Sequence, residues 1–358
     1  MENVRILCLK PEFFQTKAAI YQGGNMLFLK SIKHPKEKLE SFEKVTDQHQ
    51  YRAEEVLHEL KEADIRIDLI RVVIGRGGLL KPIPSGIYMV NDRMKEDLVN
   101  SSLGAHSVNL GGLIADDLSK MLPDAKAYIA DPVVVDEMED IARVTGWAEF
   151  QRHSVFHALT QKAIARRHAK AVLQNYEEMN LIVANLGEGI SIGAHKQGKV
   201  VDVNQAFDGE GPFSLERAGS LPLGNLVKMC FSGKYTEKEV MWKIRAEGGM
   251  MSHCKTRSLY EIEEMIDEGN EDVIFVFKAM AYQVSKYIGS LIVALKGKVD
   301  GIILTGMIAH NKMFTDFVIE HIGNIASVHI YPGECISDGL AMNAQMMLKG
   351  EIEAKEYL

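Results

Sequence analysis

The chain has 358 residues, 46% of them hydrophobic and 25% charged. That balance excludes disordered and low-complexity classes, and the length suffices for two cores. A formal net charge of -8 argues against a nucleic-acid partner. Four cysteines (Cys8, Cys230, Cys254, Cys335) without C-x-x-C spacing argue against a disulfide frame or a zinc site.

The first residues, "MENVRILCLKPEFF", lack a secretory apolar region followed by a small-residue cleavage site, and no apolar run reaches membrane-spanning length. A cytoplasmic protein without membrane contact is expected. The run "VRILCLKPEFFQTKAAIYQGGNMLFLKSI" reads as three strands, with "QGGN" supplying the positive φ angles of a tight hairpin. A helix ("YRAEEVLHELKEA"), a strand ("DLIRVVIG"), a helix around "HSVNLGGLIADDLSKML" and a strand ("AYIAD") follow. "SVFHALTQKAIARRHAKAVLQNY" has apolar residues at helical spacing, and its basic part, Lys162 to Lys170, reads as the solvated face of that helix. "NLIVANLGEGISIGAHKQGKVVDVN" repeats the pattern of strand, glycine turn, strand, tight turn and strand. Helices through Glu271–Lys296, the strand "DGIILTG", a helix near "MFTDFVIEHIG" and the strand "ASVHIY" complete the second copy.

Two βββαβαβα units predict a duplicated α/β protein, each half a mixed sheet with helices packed on it. The expected lobes are 1–175, with the closing helix of about 336–358 returning to pack on it, and 176–335. An interdomain cleft between them suits a small ligand. The turns Lys10–Thr16 and Gly187–Ser191 occupy equivalent places in the two lobes, an arrangement suited to phosphoryl transfer. A carboxylate, Glu188, lies between the glycines of the second turn, where bare N–H groups would otherwise be free to close on an anion.

Four longer strings narrow the reading: "IGRGGLLKPIPSGIYMVN" (Ile74–Asn91), "YIADPVVVDEM" (Tyr128–Met138), "SVFHALTQKAIARR" (Ser154–Arg167) and "DGEGPFSLERAGSLPLG" (Asp208–Gly224). "GRGG" is no Rossmann fingerprint, since the third glycine and the closing acidic residue are missing. Together the strings resemble the butyrate kinases, within the acetate and sugar kinase, Hsp70 and actin group. The resemblance implies an actin-like ATPase fold with ribonuclease H-like units. It also implies a carboxylate kinase that moves the γ-phosphoryl of ATP, with Mg²⁺, onto a short-chain fatty acid, or runs in reverse. The implied partners are a small carboxylate or acyl phosphate and further copies of the chain, as a dimer or larger assembly.

The resemblance places four catalytic residues. Arg76 would grip the substrate carboxylate or the moving phosphoryl group. Arg217 would offset its developing charge, His157 would donate a hydrogen bond to it, and Asp131 would orient an arginine or a metal-bound water. On the nucleotide side it places Thr16, Lys17, Gly187, Gly189, Ser191, Gly306 and Asn311, with no dedicated metal ligand.

That side also departs from the family pattern. The first loop, an Asn-Pro-Gly-Ser-Thr-Ser-Thr-Lys type of run, reads "KPEFFQTK", so Lys10 and Glu12 stand in altered positions. "NLGEGIS" puts Asn185 for a histidine, Glu188 for a glycine and Ile190 for a threonine. Met307 replaces a glycine in "TGMIAHN", Asn225 replaces an aspartate in "LPLGNL", and "GECISDG" keeps only Glu334 of an acidic run. One unrelieved carboxylate near phosphate costs about 4 kcal/mol at 4 Å and an effective dielectric near 20, roughly three orders of magnitude in affinity. Weak Mg-ATP binding is therefore expected. The alternative to a working kinase is an impaired homologue that binds acyl phosphate or carboxylate without efficient turnover. In a milder alternative, Glu188 points at Mg²⁺. A sugar-kinase-like acceptor is disfavoured, because the matching strings lie on the carboxylate side.

Overall fold

The computed structural model describes residues 4–101, 104 and 106–358, in two compact units. The first runs to Val135 and includes Ala158–Ala163 and Cys335–Leu358; the second comprises Asp136–His157 and Ile164–Glu334. By this grouping residue 175, the boundary expected from the element order, lies inside the second unit.

The first unit opens with the meander β1 (Arg5–Pro11), β2 (Gln15–Gln22) and β3 (Asn25–Lys33). Gly23 and Gly24 turn the second hairpin at φ 57° and 92°, where a side chain would be strained. Then come α1 (Lys36–Glu40), α2 (His49–Glu62), β4 (Ile70–Arg76), β5 (Ile87–Met89), α3 (Asp92–Val99), α4 (Leu110–Met121) and β6 (Lys126–Ala130). The sheet order is β3-β2-β1-β4-β6-β5, with β1, β4 and β6 parallel. β1 is buried along almost its whole length, as expected of a strand covered on both faces. On one face Leu7, Leu9, Ile20 and Val73 pack with Val56 and Leu60 of α2 and Ile114 and Leu118 of α4. On the other, Ile6, Cys8, Tyr21 and Ile74 pack with Ile336, Leu340 and Ala344 of the closing helix. Each buried Leu or Ile contributes about 1.5–3 kcal/mol by leaving water.

In the second unit, α5 (Asp140–Arg143) is followed by α6 (Ala158–Ala171), whose first six residues belong to the first unit. β7 (Asn180–Leu186), β8 (Ile190–Lys196) and β9 (Lys199–Val203) form the second meander. Four short helices come next: α7 (Leu223–Cys230), α8 (Glu237–Arg245), α9 (Gly249–Cys254) and α10 (Leu259–Asp267). The long α11 (Glu271–Leu291), β10 (Gly301–Gly306), α12 (Lys312–Ile322) and β11 (Val328–Pro332) complete the unit, and α13 (Ile336–Leu348) is the closing helix. The sheet order β11-β10-β7-β8-β9 repeats, element for element, the order β6-β4-β1-β2-β3 of the first sheet. The duplication is therefore real at the level of topology: an α/β protein of two actin-like units.

Three local readings need correction. The basic part of α6 is not a wholly wet face, since Lys162 and His168 are buried at 1% exposure. His168 shares a hydrogen bond with the Tyr331 hydroxyl at 3.0 Å, and its ring lies tilted against that of His329, centroids 4.3 Å apart; burial, then the His329 charge, lowers its pKa. The first unit carries an extra strand and helix, β5 and α3, between β4 and α4. The helices α7–α10 interrupt the second copy; α8 is closed by a capping box between Thr236 and Glu239. No helix among the described residues is long and apolar enough to cross a membrane.

Candidate active site

The carboxyl ends of parallel strands are where open α/β sheets bind ligands. In the first unit the strand register places Leu9 beside Gly75, and Arg76 beside Ala130. Lys10, Arg76 and Asp131 therefore stand at the same edge of three adjacent strands. Arg76 ends β4 where the chain runs against α4. A Cβ at Gly75 would lie 2.0 Å from the Gly111 carbonyl oxygen, and one at Gly111 would lie 2.0 Å from that of Arg76. Glycine at both positions lets helix and strand touch by backbone and fixes the base from which the Arg76 side chain projects.

Asp131 follows β6 with φ 38°, a left-handed conformation uncommon for a residue with a side chain. It is 2% exposed, and its Oδ1 accepts from the Ser85 hydroxyl (2.6 Å) and the Gly86 N–H (2.9 Å). Its own N–H donates to the Gly86 carbonyl (3.0 Å). This clamp holds a strained backbone and an oriented carboxylate, the combination found where structure is committed to function.

The β1–β2 turn is built otherwise than its sequence suggested. Arg52, on α2 and fully buried, donates to the carbonyls of Glu12 (2.8 Å), Phe13 (2.8 Å) and Gln15 (3.2 Å) and to the Thr16 hydroxyl (3.2 Å). Gln48 accepts from the same guanidinium. Burial lowers the pKa of Arg52 to about 10, which leaves it charged at neutral pH. Thr16 is fully buried and also bonded to His34 Nε2 at 2.9 Å, so its hydroxyl is already engaged inside the turn. Burial, then the Arg52 charge, pushes the pKa of His34 down to about 4.

Glu12 is not an unrelieved charge. Its carboxylate lies 2.5 Å from Lys10 Nζ and 3.5 Å from Lys17 Nζ, and accepts from the Gln15 amide. Burial alone would raise its pKa, but the hydrogen bonds from Lys10 and Gln15 and the two ammonium charges hold it below the usual carboxylate range. The repulsion of about 4 kcal/mol assumed for a bare carboxylate is thus opposed by two cations. The sequence-based premise of plain electrostatic incompatibility fails at this turn.

In the second unit, His157 Nδ1 and the Ser191 hydroxyl are 2.8 Å apart. The precursor segment of α6 and the start of β8 thus join a proposed catalytic group to a proposed nucleotide-side group. Arg217 lies over the second glycine turn: a Cβ at Gly189 would sit 2.4 Å from its Nη1 and 2.6 Å from its Cζ. The guanidinium donates to the Ala206 carbonyl and faces the Phe207 ring at 5.5 Å. Gly189 is therefore explained by Arg217 without invoking phosphate.

Glu188 is exposed, and its carbonyl accepts from the Ser214 hydroxyl. The Glu216 pKa is raised, first by burial and then by the Glu188 charge, while Arg257 pairs with Glu216 at 2.7 Å. Neither altered acid is an unpaired charge enclosed in its loop.

At the other strand ends, Thr305 is in register with Asn185, which is buried. Gly306 (φ 97°) is required by packing, since a Cβ would lie 2.3 Å from the Leu186 carbonyl oxygen. Met307 is 46% exposed. Asn311 caps α12 by accepting from the Phe314 N–H (3.0 Å) and donates to Glu263 (2.9 Å). No group of three or more His, Cys, Asp or Glu side chains among the described residues could hold a metal ion. No sequence motif assigns a role to Arg52, His34, Ser85 or Ser214, yet each holds a turn of the site. Arg52 was detectable, because it shares the buried stripe of α2 with Val56 and Leu60 at i+4 and i+8.

Two sheets of one topology, each with polar groups at its carboxyl edge, define a protein of the actin-like fold class. The solved acetate kinase of Porphyromonas gingivalis superposes with a TM-score of 0.80 over 96% of this chain and 100% of that one, at 17% identity. A propionate kinase of Francisella tularensis gives 0.78 at 15% identity, over 96% of this chain and 98% of that one. In sequence, butyrate kinase 2 and butyrate kinase 1 of Clostridium acetobutylicum are 46% and 45% identical over 353 residues, 99% of both chains in each case. Residues 147–331 match the model of the acetokinase family. The chain belongs to the acetokinase family. It is a kinase whose acceptor is a carboxylate, and no finding favours an impaired homologue.

Proposed function

We propose that the enzyme transfers the γ-phosphoryl group of ATP to a short-chain fatty acid, butyrate or a branched acid, in a reversible reaction. One observation carries this reading: 46% identity to a butyrate kinase along 99% of both chains. A carboxylate oxygen attacks the γ-phosphorus, the bond to the β,γ-bridging oxygen breaks, and ADP leaves with that oxygen's electron pair. Positioning and charge stabilisation supply most of the catalysis in such a transfer.

Arg76 binds the acid or the phosphoryl group from a base fixed by the Gly75–Gly111 contact. Asp131 is a positioning residue, held by Ser85 and Gly86. His157, oriented by Ser191, and Arg217, seated on Gly189, stabilise the phosphoryl oxygens. Gly187, Ser191, Gly306 and Lys17 line the nucleotide side, whereas Thr16 and Asn311 serve it by holding their turns and Gly189 by leaving room for the Arg217 guanidinium. Mg²⁺ brought in with the nucleotide would neutralise phosphate charge, since no cluster of three or more His, Cys, Asp or Glu among the described residues would hold it. The resemblance further supports a cytoplasmic enzyme assembled as a homo-oligomer.

Trapping acyl phosphate as hydroxamate with acetate, propionate, butyrate and branched acids tests the reading. Product is expected with Mg-ATP and most readily with the four- and five-carbon acids. No product with any acid at saturating Mg-ATP would overturn it.

A further inference from the structure

We propose that the β1–β2 turn is an anion seat carrying its own occupant: the Glu12 carboxylate holds Lys10 and Lys17, and a phosphate chain enters only by displacing it. The ligand class rests on the phosphotransferase reading; the seat itself rests on geometry. Lys10 and Lys17 are direct cross-strand partners in the antiparallel β1–β2 pair. Like charges placed opposite one another are destabilising unless an anion lies between them. The Lys10 side chain is only 6% exposed, and a buried ammonium needs a counter-ion close by.

Glu12 meets that need at 2.5 Å from one ammonium and 3.5 Å from the other, with the Gln15 amide as a third donor. Two cations and an amide around one carboxylate are the donor set that a phosphoryl group would use. The carboxylate is kept there by the turn. The Glu12 N–H donates to the Gln15 carbonyl (2.8 Å), and Arg52 grips the carbonyls of residues 12, 13 and 15 from beneath. Side-chain exposure of 26% at Glu12 leaves it a path outward. Glu12 therefore sets the affinity for polyphosphate: the ligand must compete with a tethered anion for the same lysines.

Calorimetry with inorganic tripolyphosphate, which has no adenosine to bind elsewhere, tests this. Glu12→Gln keeps the size and hydrogen bonding of the side chain and removes its charge. The variant is expected to bind tripolyphosphate about tenfold more tightly than the native chain, and adding Lys17→Met is expected to abolish the gain. Tripolyphosphate should also raise the melting temperature of E12Q more than that of the native protein. Should E12Q fold poorly, Glu12→Ala serves in the same comparison. Equal or weaker binding by the charge-removed variant, or a gain that survives loss of Lys17, would overturn the proposal. Because no turnover is read, a native enzyme that failed to form acyl phosphate would count against the proposed function alone.

Discussion

Replacing Gly189 by Ala separates two explanations of the second glycine turn. The added Cβ would stand 2.4 Å from Nη1 and 2.6 Å from Cζ of Arg217. Ordinary contact lies near 3.5 Å, so the guanidinium must retreat by about 1 Å. Gly189 does not adopt a positive φ, and the obstacle is the far end of a flexible side chain. Folding stability should therefore fall by less than about 1 kcal/mol. Catalysis should suffer more, because misplacing a charge-stabilising group by about 1 Å costs about 100-fold. Steady-state kinetics in the hydroxamate assay, beside a urea titration, should show kcat down about 100-fold with KM for ATP nearly unchanged. A variant with native kcat but a raised KM for ATP would refute the reasoning, since it would assign Gly189 to phosphate approach instead of to Arg217.

Arg52→Met strips donors from three backbone carbonyls, each about 1–3 kcal/mol when left unsatisfied, and should cost at least about 3 kcal/mol in urea denaturation; a loss below about 1 kcal/mol would mean that the turn holds itself. His34 has a folded-state pKa near 4, below an unfolded value of about 6.5. Between those values the unfolded chain binds the extra proton, so stability is intact above pH 6.5 and is lost as pH falls toward 4. The loss reaches about 3 kcal/mol, and the pH-dependent part of the denaturation midpoint should flatten in His34→Gln. Ser191→Ala removes the hydrogen bond that orients His157 and should lower kcat about tenfold with KM for the acid unchanged, while His157→Ala should lower it about 100-fold. Equal kinetics for native and Ser191→Ala enzymes would show that the ring is oriented by other neighbours.

The two meanders were legible because their signals are local. β-branched and aromatic runs ended by "QGGN" and "KQGK" fix strand, turn and strand within about ten residues. β5 was not legible: three residues, Ile87–Met89, give no period, and the strand exists because β6 offers an open edge. The helices α7–α10 carried readable caps at Thr236 and Ser258, yet their short length left them with little periodicity.

By itself the chain determined the order of elements, the internal duplication and the residue types at the carboxyl edges of the strands, since hydrophobic period and turn chemistry act between near neighbours. What it could not determine was which charges meet at the β1–β2 and β7–β8 turns. Glu12 in the sequence is an acid in a phosphate loop; in the fold it is the counter-ion of Lys10 and Lys17, while Arg52, forty residues away, sets the turn beneath it. Electrostatic cost depends on which charges meet at a few ångströms, and only the tertiary structure brings those groups together.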